Sequence, residues 1–247
     1  KDMFFKACIN GTYPQLVKEK NIESGRWYKN YINTYIDRDI KIVYNIGDLR
    51  IFNSFIGVIA ARTGQILNMN SISSLLGVSV NTIKNWVSVL QASNIIYLLQ
   101  PFFVNATKRA IKAPKVYFYD NGLVCNLMGM KTREEVFSGH FLGPLFENYV
   151  VSEAVKYYNN RGKDAKVYYF RSHSGIEVDL ILEKDHKIIP IEIKASMGFS
   201  NFTDINFKKL KEYFGKEPAD GFLVYFGDRN MLVAKRVSAV NNFDFLK

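Results

Sequence analysis

Apolar positions recur at a helical period in the first half of this chain and at a strand-like period in the second. From Ser24 onward, Trp27, Tyr28, Tyr31, Ile32, Tyr35 and Ile36 fall on one helical stripe, and Ser24 is placed to cap it. Leu49, Phe52, Phe55, Ile56, Ile59 and Ala60 repeat the pattern, and Gly64 supplies a stop just beyond Arg62 and Thr63. Residues 69–76 then read as a short helix, Gly77-Val78-Ser79 as a turn, and residues 80–92 as a longer helix capped by Ser79 or Asn81. Residues 1–20 show no such period and carry a turn signal at 11–14, so an irregular segment is expected there.

Two β-rich runs follow, 94–99 and 115–119, separated by a basic, proline-containing stretch at 101–114. Short helix, glycine turn, second helix and two strands flanking a loop make the pattern of a winged helix-turn-helix over about residues 66–119. Its second helix offers Asn81, Thr82, Lys84, Asn85 and Ser88 on polar positions and withholds Ile83, Trp86, Val87 and Leu90 for the core. A helical linker covers 120–137. Residues 145–158 form an amphipathic helix with Phe146, Val150, Val151 and Val155 on one stripe. Strand-like runs come at 167–170, 177–182 (after a turn at 172–175) and 187–194, then a helix near 206–214 and a strand at 221–226. The expected class is α/β (α+β): a helical region with a winged helix at 1–137, and a mixed sheet flanked by helices at 138–247.

Composition narrows the class. With 48% hydrophobic and 23% charged residues, the chain reads as a soluble globular protein and not a disordered one. No run of about 18 uncharged apolar residues occurs, so no membrane partner or membrane span is expected. The start, Lys1-Asp2-Met3-Phe4-Phe5, is neither a signal peptide nor an ordinary translation start, so the expectation is a piece of a longer cytoplasmic protein. Cys8 and Cys125 form no CxxC pair and are expected to be buried, reduced thiols.

The net charge of +10 is informative for its distribution. No acidic residue lies between Asp48 and Asp120, whereas Arg50, Arg62, Lys84, Lys108, Arg109, Lys112 and Lys115 do. Positive charge without interspersed carboxylates is the footprint of a polyanion-binding surface. Lys84 and Asn85 on the second helix, and Lys108, Arg109, Lys112 and Lys115 along the wing, are the expected nucleic-acid contacts.

The chemistry-bearing residues lie further on. Asp179 sits on one strand, and Glu192 and Lys194 sit two apart on the next. Alternation sends Glu192 and Lys194 out of one face, while Ile191 and Ile193 take the other. An antiparallel neighbour can bring Asp179 beside Glu192. Two such carboxylates are hard oxygen ligands of the kind Mg²⁺ takes, and a lysine beside them can orient an attacking water or offset charge on a phosphate.

Asp179 followed by Glu192-x-Lys194, after a helix bearing Glu147, resembles the PD-(D/E)XK nuclease superfamily. That resemblance implies a restriction-endonuclease-like core in which Asp179 and Glu192 bind the metal, Lys194 assists phosphodiester hydrolysis and Glu147 completes the site. Glu153 and Glu177 are rivals for the fourth role. A wider likeness runs from about residue 11 to 196. Residues 31–39, 62–67, 80–93, 108–123 and 145–153 resemble the C-terminal region of predicted bacterial and archaeal AAA-type ATPases, a region classed as a domain of unknown function. In that group a P-loop ATPase domain precedes the region. No GxxxxGK[ST] occurs here, so ATP would belong to an N-terminal lobe absent from these residues.

Other residues carry weaker signals. Arg38 and Asp39 could reach a neighbouring ATPase lobe as an arginine finger, but a helix-surface ion pair is the plainer reading. His173 is expected in solvent, and Tyr168 and Tyr169 in the core. Three functions stay open: a DNA-binding module coupled to an ATPase, a Mg²⁺-dependent nuclease, and a protein-interaction module.

Overall fold

The computed structural model describes residues 1–19, 21–35, 48–103, 113–172, 174–199, 202, 204–215 and 218–246. Arg38, Asp39, Lys108, Arg109, Lys112, His173 and most of the expected wing lie outside these residues. The protein is mixed α/β and divides into two compact units. One comprises residues 2–98 and 116–149; the other comprises residue 1, residues 99–115 and residues 150–247.

The first unit is helical. Helices α1 (Asp2–Ile9), α2 (Pro14–Lys18), α3 (Ser24–Tyr31) and α4 (Leu49–Ala60) precede the pair α5 (Met69–Leu76) and α6 (Val80–Ala92). Strands β1 (Ile96–Leu99) and β2 (Lys115–Phe118) form a two-stranded sheet, followed by α7 (Asn121–Leu127) and α8 (Arg133–Ser138). A long helix, α9 (Leu142–Asn159), starts here. The expectation of an irregular N-terminus is corrected: residues 2–9 and 14–18 are helical. Phe4, Phe5 and Cys8 fall on one helical face and are buried, which drives a helix that short-range pattern alone did not reveal. In α3, Glu23 holds the cap position and Ser24, the first helical residue, donates instead to the Ile9 carbonyl.

The α5–α6 pair is bounded by its caps. Asn68 accepts from the Ser71 amide, Gly77 ends α5 at φ +67°, and Ser79 accepts from the Thr82 amide. A helix–turn–helix with two following strands results. Asn148, fully buried on α9, pins β2 to it: its amide accepts from Thr63 Oγ1 and Phe118 N and donates to the Phe118 carbonyl and Asn121 Oδ1.

Tyr13, Tyr28 and Tyr31 gather near Asp120, whose carboxylate accepts from Thr12 N, Thr12 Oγ1, Tyr28 Oη and Leu123 N. Burial, then the Asp120 charge, holds the Tyr28 phenol far above its ordinary 10.0. Burial and Tyr31 do the same for Tyr13, and burial pushes Tyr31 up to about 12. A raised folded-state value contributes stability that is present below the unfolded value and lost as pH climbs past it. Unfolding should therefore become easier between about pH 10 and 12, read as a falling urea midpoint in tryptophan fluorescence. Tyr13→Phe should flatten that fall; an unchanged slope would refute the assignment.

The second unit is built on a six-stranded sheet ordered β3-β4-β5-β6-β8-β7. Its strands are β3 (Val167–Arg171), β4 (Glu177–Lys184), β5 (Lys187–Lys194), β6 (Gly221–Tyr225), β7 (Met231–Ala234) and β8 (Val237–Val240), with α10 (Ile205–Phe214) crossing between β5 and β6. β3, β4 and β5 are antiparallel neighbours; β5–β6 and β6–β8 are parallel. Phe207, Leu210 and Phe214 of α10 pack with Ile181, Ile188, Leu223 and Phe170 in the core. The hairpin β7–β8 goes beyond the four strands expected from sequence. No described helix is long and apolar enough to cross a membrane.

Candidate functional site

The β4–β5 ladder runs regularly from Lys184↔Lys187 to Leu180↔Ile191 and stops there. One step further would set Asp179 across from Glu192. On its other side β4 pairs irregularly with β3: Tyr168 meets Ile181, and Phe170 meets Val178. Two steps on β3 thus answer three on β4, so β4 carries an extra residue and Asp179–Leu180 form its bulge. Bulges of this kind re-aim side chains and end pairing, and they occur beside active sites.

The bulge directs the Asp179 carboxylate onto β5. Its Oδ2 accepts from the Ile193 amide at 2.8 Å, the amide between Glu192 and Lys194 in sequence. Glu192 and Lys194 face each other directly, Oε1 to Nζ 2.7 Å apart. Glu192 is mostly buried (14% exposed) and Lys194 is half exposed, so the lysine is the solvent-facing member. By register Glu192 lies beside Leu223 and Lys194 beside Tyr225, at the end of the strand that the apolar α10 core leaves open to charge. Asp179, Glu192 and Lys194 thus occupy one neighbourhood, with the β5 backbone as the common element.

All three candidates for a fourth carboxylate have partners of their own. Glu147 belongs to the helical unit, where Oε1 accepts from Tyr117 Oη and Oε2 approaches the Gly64 backbone. Glu153 pairs with Lys156 one turn along α9. Glu177 Oε1 lies 3.0 Å from Lys115 Nζ, and Oε2 lies 3.9 Å from Arg171 Nε. Among the described residues, no three His, Cys, Asp or Glu side chains gather as a metal-holding group. Asp179 and Glu192 still offer two oxygen donors, which matches the one or two carboxylates that Mg²⁺ takes alongside water and phosphate oxygens.

Lys115 differs from its expected role. It is 4% exposed, ion-paired with Glu177 and 5.6 Å over the Tyr169 ring, which makes it a buried structural cation and not an open phosphate contact. Lys84 and Asn85 are exposed: with Asn81 and Ser88 they form a stripe along α6, while Ile83, Trp86, Val87 and Leu90 are buried. A feature the sequence reading passed over lies at the β3–β4 turn. Ser172 Oγ, Ser174 Oγ and Tyr213 Oη form a hydrogen-bonded chain beside Arg171. The run Arg171-Ser172 with Ser174-Gly175 was its only sequence signal.

Two family descriptions match the chain: "Domain of unknown function (DUF8612)" over residues 1–134 and "Domain of unknown function (DUF4143)" over residues 142–243. The chain is 25% identical over 187 residues to "Uncharacterized protein Rv2008c" of Mycobacterium tuberculosis and to "Uncharacterized protein Mb2031c" of Mycobacterium bovis. Each alignment covers 75% of this chain and 41% of the relative, so the chain spans well under half the length of these curated relatives. No solved structure matches it significantly. With more than half of its residues under the first of those two descriptions, the chain belongs to the family described as "Domain of unknown function (DUF8612)".

Proposed function

We propose that this chain is the nucleic-acid-binding effector region of an AAA-type ATPase, holding DNA with its helix-turn-helix. The observation that carries the reading is the exposed Asn81–Lys84–Asn85–Ser88 stripe on α6, set in a segment with no acidic residue from 49 to 119. Asparagine, serine and lysine on the second helix of such a motif can meet base edges and phosphates. Matched relatives more than twice as long as the aligned segment leave room for the ATPase lobe.

The test is duplex binding by fluorescence anisotropy across a salt series. Lys84→Ala should weaken binding at all sequences and lower the salt slope by about one. Asn85→Ala should weaken binding with little change of slope. Affinity indifferent to both variants, or no affinity at low salt, would favour a protein-interaction module instead.

The geometry around Asp179 supports a second reading, Mg²⁺-dependent phosphodiester cleavage. Asp179 and Glu192 would hold the metal, whose role is to polarise the scissile phosphate. Lys194, solvent-facing and 2.7 Å from Glu192, would offset charge on the phosphate and orient the attacking water.

A further inference from the structure

The helical unit holds a cavity of about 640 Å³ whose walls come from α3, α7 and the end of α1. Every described residue that lines it belongs to this one unit, and none belongs to the α6 stripe. Its size falls within the roughly 300–1,000 Å³ usual for small-molecule sites.

The buried part of the lining has no polar group to spare. Cys8 and Tyr28 are each 1% exposed, and Gly122 is buried with them. The Tyr28 hydroxyl is committed to Asp120, and Cys8 Sγ already accepts from Asn121 Nδ2. Ile32 and Met130, both half-buried, extend this apolar surface toward solvent. An unbranched methionine adapts to the outline of whatever lies against it. The interior therefore suits an apolar or aromatic body.

The exposed part of the lining is charged. Arg26, Lys29 and Lys131 stand there against one carboxylate, Glu23. Arg26 and Lys29 are one turn apart on α3, where like charges repel. Neither side chain makes an ion pair or a hydrogen bond among the described residues. Lys131 follows α7, where its amide donates to Glu135, and it shares its charge with that carboxylate. Asn33 and Asn126 add two amides, each able to donate and to accept. A bound anion would relieve the repulsion between Arg26 and Lys29. A dianion matches three cations and one carboxylate better than a single charge does. A phosphate monoester carries about −1.5 to −2 near neutral pH and offers three acceptor oxygens.

Independently of the nucleic-acid reading, we propose that this cavity binds a phosphate monoester with an aromatic body, of mononucleotide size. Arg26 grips the phosphate through its planar fork, and Lys29 adds a point charge beside it. The ring system covers Cys8, Ile32 and Met130. Asn33 and Asn126 are left to meet its polar edge. Inorganic phosphate alone would leave the apolar interior uncovered, and a nucleoside would leave the cations unpaired.

The test is isothermal titration of the full chain with AMP, UMP and flavin mononucleotide. At least one should bind, and about tenfold or more tighter than glycerol 3-phosphate, which has no ring. Its own nucleoside should bind at least about tenfold more weakly. Arg26→Gln and Lys29→Gln, both at exposed positions, should each weaken binding about tenfold. Lys18→Gln, exposed on α2 and outside the cavity, should stay within about twofold, which controls for general attraction to a chain of net charge +10. No binding of any of the three monophosphates at about 1 mM would overturn the site. So would affinity unchanged by Arg26→Gln and Lys29→Gln, or lowered equally by Lys18→Gln. A nucleoside that binds as tightly as its monophosphate would overturn the phosphate role. Each of these failures leaves duplex binding on α6 standing.

Discussion

Asn148→Ala should destabilise the helical unit by at least about 4 kcal/mol, the lower end of roughly 1–3 kcal/mol for each of the four buried polar groups it orphans. Asn148 is fully buried and stands in for a strand neighbour. It accepts from Phe118 N and donates to the Phe118 carbonyl, and so closes the inner edge of β2. It also accepts from Thr63 Oγ1 and donates to Asn121 Oδ1, both on buried residues. Alanine leaves these four groups without the partner that satisfies them. Asn148→Asp should be no milder, since it keeps the acceptors but loses the donors and buries a charge. Both tryptophans, Trp27 and Trp86, lie in this unit, so urea unfolding followed by tryptophan fluorescence reports on it alone. Ser88→Ala, on the exposed face of α6, should stay within about 0.5 kcal/mol of the parent. A loss under about 1 kcal/mol for Asn148→Ala, at unchanged m-value, would mean that water or a neighbour satisfies the orphaned groups.

The parts of the fold that were legible in the sequence are those fixed by local chemistry. The α5–α6 boundaries agree residue for residue with expectation because Gly77 and Ser79 act within one turn of their own position. β5 was equally legible, as an apolar strand interrupted by Glu192 and Lys194. What could not be read depends on distant partners. Lys115 looks like one more cation of a basic wing until Glu177, 62 positions on, is placed against it. The N-terminal helix forms because its Phe4–Phe5–Cys8 face is buried, and Asn121, far along the chain, reaches Cys8 Sγ. The bulge at Asp179–Leu180 has no composition signal at all. It is a mismatch of count between β3 and β4, visible only once both strands are paired. The candidate residues of the β-sheet site were therefore nameable from spacing, whereas the device that aims Asp179 was not.

Asp179→Asn separates the binding reading from the cleavage reading more cleanly than alanine does. An asparagine oxygen can still accept from the Ile193 amide, so the bulge keeps its tie to β5 while the negative charge is removed. Duplex affinity should then stay within about twofold of the parent chain, because the proposed duplex contacts on α6 are untouched. Any Mg²⁺-dependent cleavage by the parent protein should drop at least about a hundredfold if Asp179 is one of two oxygen ligands, since the proposed ligand has lost its charge. A metal readout independent of activity follows from linkage: a ligand that binds only the folded state raises the melting temperature in proportion to its affinity. Melting temperature should rise with MgCl₂ in the parent and respond less in Asp179→Asn and in Glu192→Gln, with CaCl₂ as a second oxygen-seeking cation. Equal thermal responses in parent and variants, together with unchanged cleavage, would remove Asp179 and Glu192 from any metal site. The lysine would then be left as the partner of a mostly buried glutamate, a role that needs charge balance at the strand end and no chemistry.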